Sequence, residues 1–129
     1  MTQTPIPTQI QRLKKSNQLR LIYSDSQFEL PAEFLRVHSP SAEVRQHGNP
    51  ILVEGKANVT LIALENIGRY GLKITYDDGH DSGIYTWPYL YELCNNYNEL
   101  WDSYLKKLHD ENKSRHPQTQ VVQIQPPKK

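Results

Sequence analysis

Three groupings of side chains in this chain have types and spacing that could do chemistry. His80 follows Asp77-Asp78-Gly79 in "YDDGHDSGIYTW", residues 76–87, where a turn would project the imidazole as a metal ligand or a base. Asp-Gly also asks for unusual backbone angles that a following His tolerates, so a tight turn alone explains much of this stretch. His109-Asp110-Glu111 is a His-x-Glu, which with a distant second His forms the facial ligand set of non-haem iron(II) oxygenases. Such ligands need a rigid many-stranded barrel, and the strands for one are lacking here. A solvated helix end, with His and Lys near the negative end of the dipole, explains the motif. "RVHSPSAEVRQHG", residues 36–48, gathers Arg36, His38, Ser39, Ser41, Glu43, Arg45 and His47. Serine beside histidine and an acid suggests hydrolysis, yet there is no Gly-x-Ser-x-Gly elbow. Capping by Ser39 and Glu43 explains that pair without chemistry. Arg36 and Arg45 suit an anionic partner segment.

The elements that carry these side chains follow from hydrophobic periodicity. Residues 1–8, rich in Thr, Pro and Gln, are expected to be flexible. Ile10 and Leu13 mark a short strand, Ser16-Asn17 a turn, and Leu19, Leu21 and Tyr23 a returning strand. Phe28 and Leu30 suit an extended piece, and Pro31 suits the first turn of a helix carrying Phe34 and Leu35. Ser39-Pro40 reads as a cap and restart, followed by a short helical turn through Val44. After a loop at 46–56, Val59, Leu61 and Ala63 share one strand face. Beyond a turn near 66–68, Tyr70, Leu72, Ile74 and Tyr76 alternate with Gly71, Lys73 and Thr75. Ile84-Tyr85-Thr86 forms the partner strand, and Trp87-Pro88 opens a long helix. Its apolar stripe, from Leu90, Leu93 and Cys94 to Tyr104 and Leu108, recurs at steps of three and four. Tyr91 lies off that stripe and is a candidate partner contact, whereas Cys94 lies on it as an inert buried thiol. The expected class is α+β: a small antiparallel β-sheet, short helical segments, and a long C-terminal helix packed on one face. The expected divisions are a flexible 1–8, a folded domain over 9–110 and a disordered polar tail over 111–129.

Lys and Arg number 15 against 14 Asp and Glu, so the net charge of +1 supplies no bulk field to attract nucleic acid or an anionic membrane. Cys94 is the single cysteine, which excludes an internal disulfide and a multi-cysteine zinc site and fits a reducing cytoplasm. No apolar run approaches the ~20 residues of a membrane span, and "MTQTPIPTQIQRLKK" lacks the apolar core of a secretory signal. A cytoplasmic domain, monomeric or weakly homodimeric, is the expectation.

"LPAEFLRVHSPSAEVRQHG" followed by "YDDGHDSGIYTWPYL" resembles the gamma-butyrobetaine hydroxylase-like N-terminal domain family over roughly residues 10–108. In the carnitine-pathway dioxygenases this domain precedes the catalytic barrel and binds a structural zinc. Its ligands are a Cys-x-Cys-x-x-Cys run and the histidine of an Asp-Gly-His hairpin. The resemblance places those ligands at Ser39, Ser41, Val44 and His80. Two hydroxyls and an alkyl group cannot replace three thiolates, so the resemblance implies His80 without its zinc. The short stand-alone bacterial members look like this chain. The barrel with its iron ligands has no counterpart here, so the expectation is a domain that is not an enzyme and has no catalytic residues. If the family fold holds, His80 lies beside the segment from Ser39 to Val44 and bonds Ser39, Ser41 or a backbone carbonyl. The alternative is a weak divalent zinc or iron site made by His80 with Asp77, Asp78, Asp81 or His38. Otherwise no cofactor is expected. Related domains occur fused to iron–sulfur carrier ATPases and to oxygenases. That implies an accessory module with a protein partner in metal-cofactor metabolism.

Overall fold

The computed structural model describes residues 4–40 and 52–116. Along the chain lie β1 (Gln9–Leu13), β2 (Gln18–Ile22), β3 (Gln27–Pro31), α1 (Ala32–Val37), β4 (Leu61–Ile67), β5 (Gly71–Tyr76), β6 (Asp81–Thr86), α2 (Trp87–Asn95) and α3 (Tyr97–Asp110). The expected antiparallel α+β class holds. The strands divide into two three-stranded sheets, β1-β2-β3 and β4-β5-β6, where the periodicity suggested one. No tight turn ties β3 to β4, because α1 and the segment before Val59 intervene.

Asn17 joins the two sheets. Its φ of 58° closes the β1–β2 turn, a left-handed conformation that Asn tolerates better than most residues. Its side-chain amide then donates from Nδ2 to the Val59 carbonyl at 2.7 Å and accepts from the Leu61 N–H at 3.0 Å. A carboxamide offers one donor edge and one acceptor edge, so it substitutes for a missing backbone rung between the sheets. Arg12 adds a bond to the Leu61 carbonyl at 3.3 Å.

The inward faces meet in one core: Leu19, Leu21 and Leu30 from the first sheet, Leu61, Leu72, Ile74, Tyr76 and Tyr85 from the second, and Phe34, Leu35, Leu90 and Leu93 from the helices. Leu64↔Ile74 and Leu72↔Tyr85 face one another across β4, β5 and β6. Tyr70, which the alternation placed with them, sits in the β4–β5 turn and is 66% exposed. The reason lies next to it: a Cβ at Gly71 would fall 2.1 Å from the Tyr85 carbonyl oxygen, so only glycine permits β5 to begin against β6 there.

Thr86 caps α2, its hydroxyl accepting from the Tyr89 N–H at 3.3 Å, with Pro88 in the first turn. The single long helix expected from the stripe is two. Asn96 leaves helical angles at φ −115° and ψ 21°, between α2 and α3, where Asn95-Asn96 gives the lowest helix propensity of the run. The polar residues after Asp110 also depart from expectation. Residues 111–116 do not trail away: the Ser114 and Arg115 carbonyls accept from Gly55 and Ala57 N–H, both at 2.8 Å. Arg115 clasps buried Glu33 through two bonds of 2.8 and 2.7 Å, with its guanidinium 5.3 Å from the Trp101 ring centre. Residues 117–129, 1–3 and the expected helical turn through Val44 lie outside the described residues.

Replacing Asn17 with Gly keeps the turn angle and removes both inter-sheet bonds. Urea unfolding should show a loss of about 2 kcal/mol, one net hydrogen bond each. A loss under ~0.5 kcal/mol would show that Asn17 is only a turn residue.

Candidate functional site

The three groupings from the sequence lead to different places. His109 and Glu111 lie at the exposed C-terminal end of α3. The other two, the Asp-Gly-His hairpin and the end of α1, come together. The turn between β5 and β6 is built locally. Gly79 takes φ 81°, and Asp78 Oδ1 accepts the His80 N–H at 3.0 Å, an Asx turn that fixes where the imidazole leaves the backbone. Asp77 is tied back to the start of β4, accepting the Thr60 N–H at 2.9 Å and donating its own N–H to the Thr60 carbonyl at 3.0 Å.

From the other side, α1 delivers Ser39. Six residues of helix leave most of their carbonyls without helical partners, and side chains take them. His38 Nδ1–H donates to Phe34 O at 2.9 Å, Tyr85 Oη–H to Leu35 O at 2.6 Å, and Tyr89 Oη–H to His38 O at 2.6 Å. Tyr76 in turn donates to the Tyr85 hydroxyl at 2.6 Å. Burial pushes both phenols well above their ordinary range, so they stay neutral donors. Burial likewise lowers the His38 pKa, keeping that imidazole neutral.

Ser39 is fully buried and donates its hydroxyl proton to the Ser82 carbonyl at 2.9 Å. Its Oγ therefore accepts from His80 Nε2–H, at 2.9 Å. Ser82, also fully buried, receives the Ile74 N–H on its own hydroxyl at 3.1 Å and donates to Gly83 O at 2.7 Å. It thereby fills the ladder position lost where the β5–β6 register shifts between Lys73 and Thr75. In this proton order His80 is a donor toward Ser39.

Charge reinforces the junction. Asp78 Oδ2 accepts from Arg36 Nε and Lys56 Nζ, each at 2.8 Å. Burial alone would raise the Asp78 pKa. The bonds from Lys56, Arg36 and the His80 N–H outweigh it and hold the carboxyl at about 2. Arg36, expected as an accessible partner contact, is only 4% exposed, because its charge is used inside the fold. Tyr91 is half-buried with its ring edge-on to Tyr23, 5.3 Å between centres. Arg45, Ser41 and Val44 lie outside the described residues, as does the Asp81 side chain.

The described residues do not fit a zinc ion. Ser39 presents a neutral hydroxyl already bonded to Ser82 and to His80, where zinc asks for thiolates or imidazoles around an ion-sized gap. For the weaker divalent site, Asp77 and Asp78 are engaged with Thr60, Arg36 and Lys56, and His38 with Phe34. Among the described residues no three His, Cys, Asp or Glu side chains gather as a metal would need.

The family model described as gamma-butyrobetaine hydroxylase-like, N-terminal, matches residues 10–91. The chain belongs to this family. A solution NMR structure 53% identical to it has a TM-score of 0.81 and covers 93% of this chain and 97% of its own. A second, 45% identical, has a TM-score of 0.76 and covers 91% and 92%. A crystal structure from Acidithiobacillus ferrooxidans, of a protein with unknown function in the DUF971 family, is 32% identical with a TM-score of 0.57, covering 67% and 90%. No curated protein matches the chain. The gamma-butyrobetaine hydroxylase-like fold thus brings the positions of His80 and Ser39 within hydrogen-bond reach, as the resemblance implied. Ser82, Tyr85 and Lys56 were not legible as parts of the junction. Tyr85 shows only as an inward strand position, and nothing in the sequence pairs Lys56 with Asp78.

Asp78 gives a pH prediction with a definite sign. Its carboxyl is more acidic when folded than its ordinary 3.8, so the stabilisation is complete above that pH and is lost as pH falls toward 2. Allowing for solvent screening, the amount is roughly 1 to 2 kcal/mol. Asp78→Asn should lose that stability at neutral pH and give a flatter stability profile between pH 4 and 2 in urea titrations. Parallel profiles for the two proteins would show that Asp78 is not held by Arg36 and Lys56.

Proposed function

We propose that this chain is a non-catalytic accessory domain that acts by binding a protein partner. The observation that carries the reading is the bonding of His80. Its Nε2–H is engaged by Ser39 and the Ser39 hydroxyl by Ser82, so the site's imidazole and hydroxyl fasten α1 to the β5–β6 hairpin. A histidine bonded to a buried hydroxyl that is itself bonded across the fold serves to position structure, which supports a non-catalytic reading. The reading is supported further by Asp78, whose carboxylate is saturated by two cations and a backbone amide. Fusion of related domains to iron–sulfur carrier ATPases and oxygenases points to a partner in metal-cofactor handling, in the cytoplasm. That step rests on family analogy.

The test uses the whole chain, tagged at its native locus without a histidine tag and purified under gentle conditions. Native mass spectrometry should find one protein in fixed ratio to the chain, and elemental analysis no stoichiometric metal. His80→Ala should cost about 1 kcal/mol, with the same shift in melting temperature whether or not zinc or iron(II) is added. One bound zinc or iron per chain, lost in His80→Ala and with no protein in fixed ratio, would overturn the reading in favour of a metal-binding protein.

A further inference from the structure

The β1–β2 hairpin carries the densest run of cations in the described chain. Arg12, Leu13, Lys14, Lys15, Ser16 and Arg20 line a shallow, open surface at its tip. Arg20 is bonded to Glu29 at 2.8 Å and to Gln11 at 2.9 Å. Arg12, Lys14 and Lys15 have no carboxylate at ion-pair distance among the described residues. The chain as a whole carries only +1, so this end is a local concentration of positive charge set against a slightly acidic remainder. Lys14 and Lys15 are exposed. Arg12 is half-buried, and one of its N–H groups is held by the Leu61 carbonyl at 3.3 Å. That bond orients the guanidinium before any ligand arrives, which lowers the ordering cost of pairing its remaining donors with a carboxylate.

We infer that this hairpin tip is the docking site for an acidic segment of a partner protein, one presenting clustered Asp or Glu side chains. This rests on the accessory-domain reading and names the chemistry of its partner. Nucleic acid fits less well: no aromatic ring lines the surface to stack on a base, and Arg12, Lys14 and Lys15 would release only ~0.9 counterion each on duplex DNA. An anionic membrane also fits less well. Leu13 is the only large apolar side chain in the lining, and lasting attachment to a surface needs an inserted apolar face or a longer polybasic run. Carboxylates on a flexible segment match both the planar fork of Arg12 and the mobile ammonium groups of the lysines.

The experiment titrates the ¹⁵N-labelled full chain with a hexaglutamate peptide, at low salt and again near physiological ionic strength. Amide shifts should concentrate on residues 11–20 and weaken with salt, as screening over a Debye length of ~8 Å requires. The double variant Lys14→Glu, Lys15→Glu should keep the wild-type melting temperature, both side chains being exposed, and bind the peptide at least ~10-fold more weakly. Shifts spread over the whole surface, an unchanged affinity in the double variant, or tighter binding of oligothymidylate or phosphatidylserine vesicles at equal charge would each overturn the inference. The two proposals fail separately. A native partner recovered equally by wild type and double variant removes this docking site and leaves the accessory reading. Peptide binding at the hairpin with no native partner does the reverse.

Discussion

Arg36 and Asp78 stand 42 residues apart in sequence and 2.8 Å apart in space, with the arginine side chain almost wholly excluded from water. A guanidinium in that position is tolerable only with a carboxylate against it, since an unpaired buried charge is among the costliest defects a fold can carry. The pair therefore dictates that the β5–β6 hairpin return to the end of α1. Once it does, the rest of the junction can close: His80 reaches Ser39, Ser39 reaches Ser82, and Tyr85 reaches the Leu35 carbonyl. None of these bonds would form if the hairpin were displaced by a few ångströms. Each is directional, so together they select one docking geometry from the many that apolar contact alone would permit.

The same logic recurs at the two other junctions. Asn17 bridges the sheets by an amide, and Arg115 anchors the returning C-terminal segment on buried Glu33. With apolar residues at 36% of the chain, the core is modest, and polar side chains bonded across long sequence separations do much of the orienting. The family resemblance gives this a chemical context. Where the resemblance implies a zinc clip of thiolates and a histidine between hairpin and helix, the described part of this chain has a hydroxyl, the histidine and a charge pair.

This separates the polar residues into two populations. Those at the α1–hairpin junction are buried and mutually bonded, so their chemistry is internal. Those at the β1–β2 hairpin include cations with no neutralising carboxylate among the described residues, so their chemistry is directed outward. Arg36 and Lys14 are alike in composition tables and opposite in role. Only burial and partners distinguish them.

Most local elements are legible in the sequence because their signals are local: a period of two through Leu72, Ile74 and Tyr76, helical steps of three and four from Leu90 to Leu108 that do not reveal the break at Asn96, and Thr86-Trp87-Pro88 as a helix start. The family resemblance placed His80 beside the segment from Ser39 to Val44, and the structure chose Ser39 within it. Tertiary structure alone decided what depends on groups distant in sequence. It decided how the two sheets meet, because the Asn17 amide bonds to residues more than forty positions away. It extended the ordered chain past Asp110, because Arg115 finds a buried carboxylate that composition does not reveal. And it took Arg36 out of the surface and into the core, because the only way to know whether a charge is exposed is to know what folds against it.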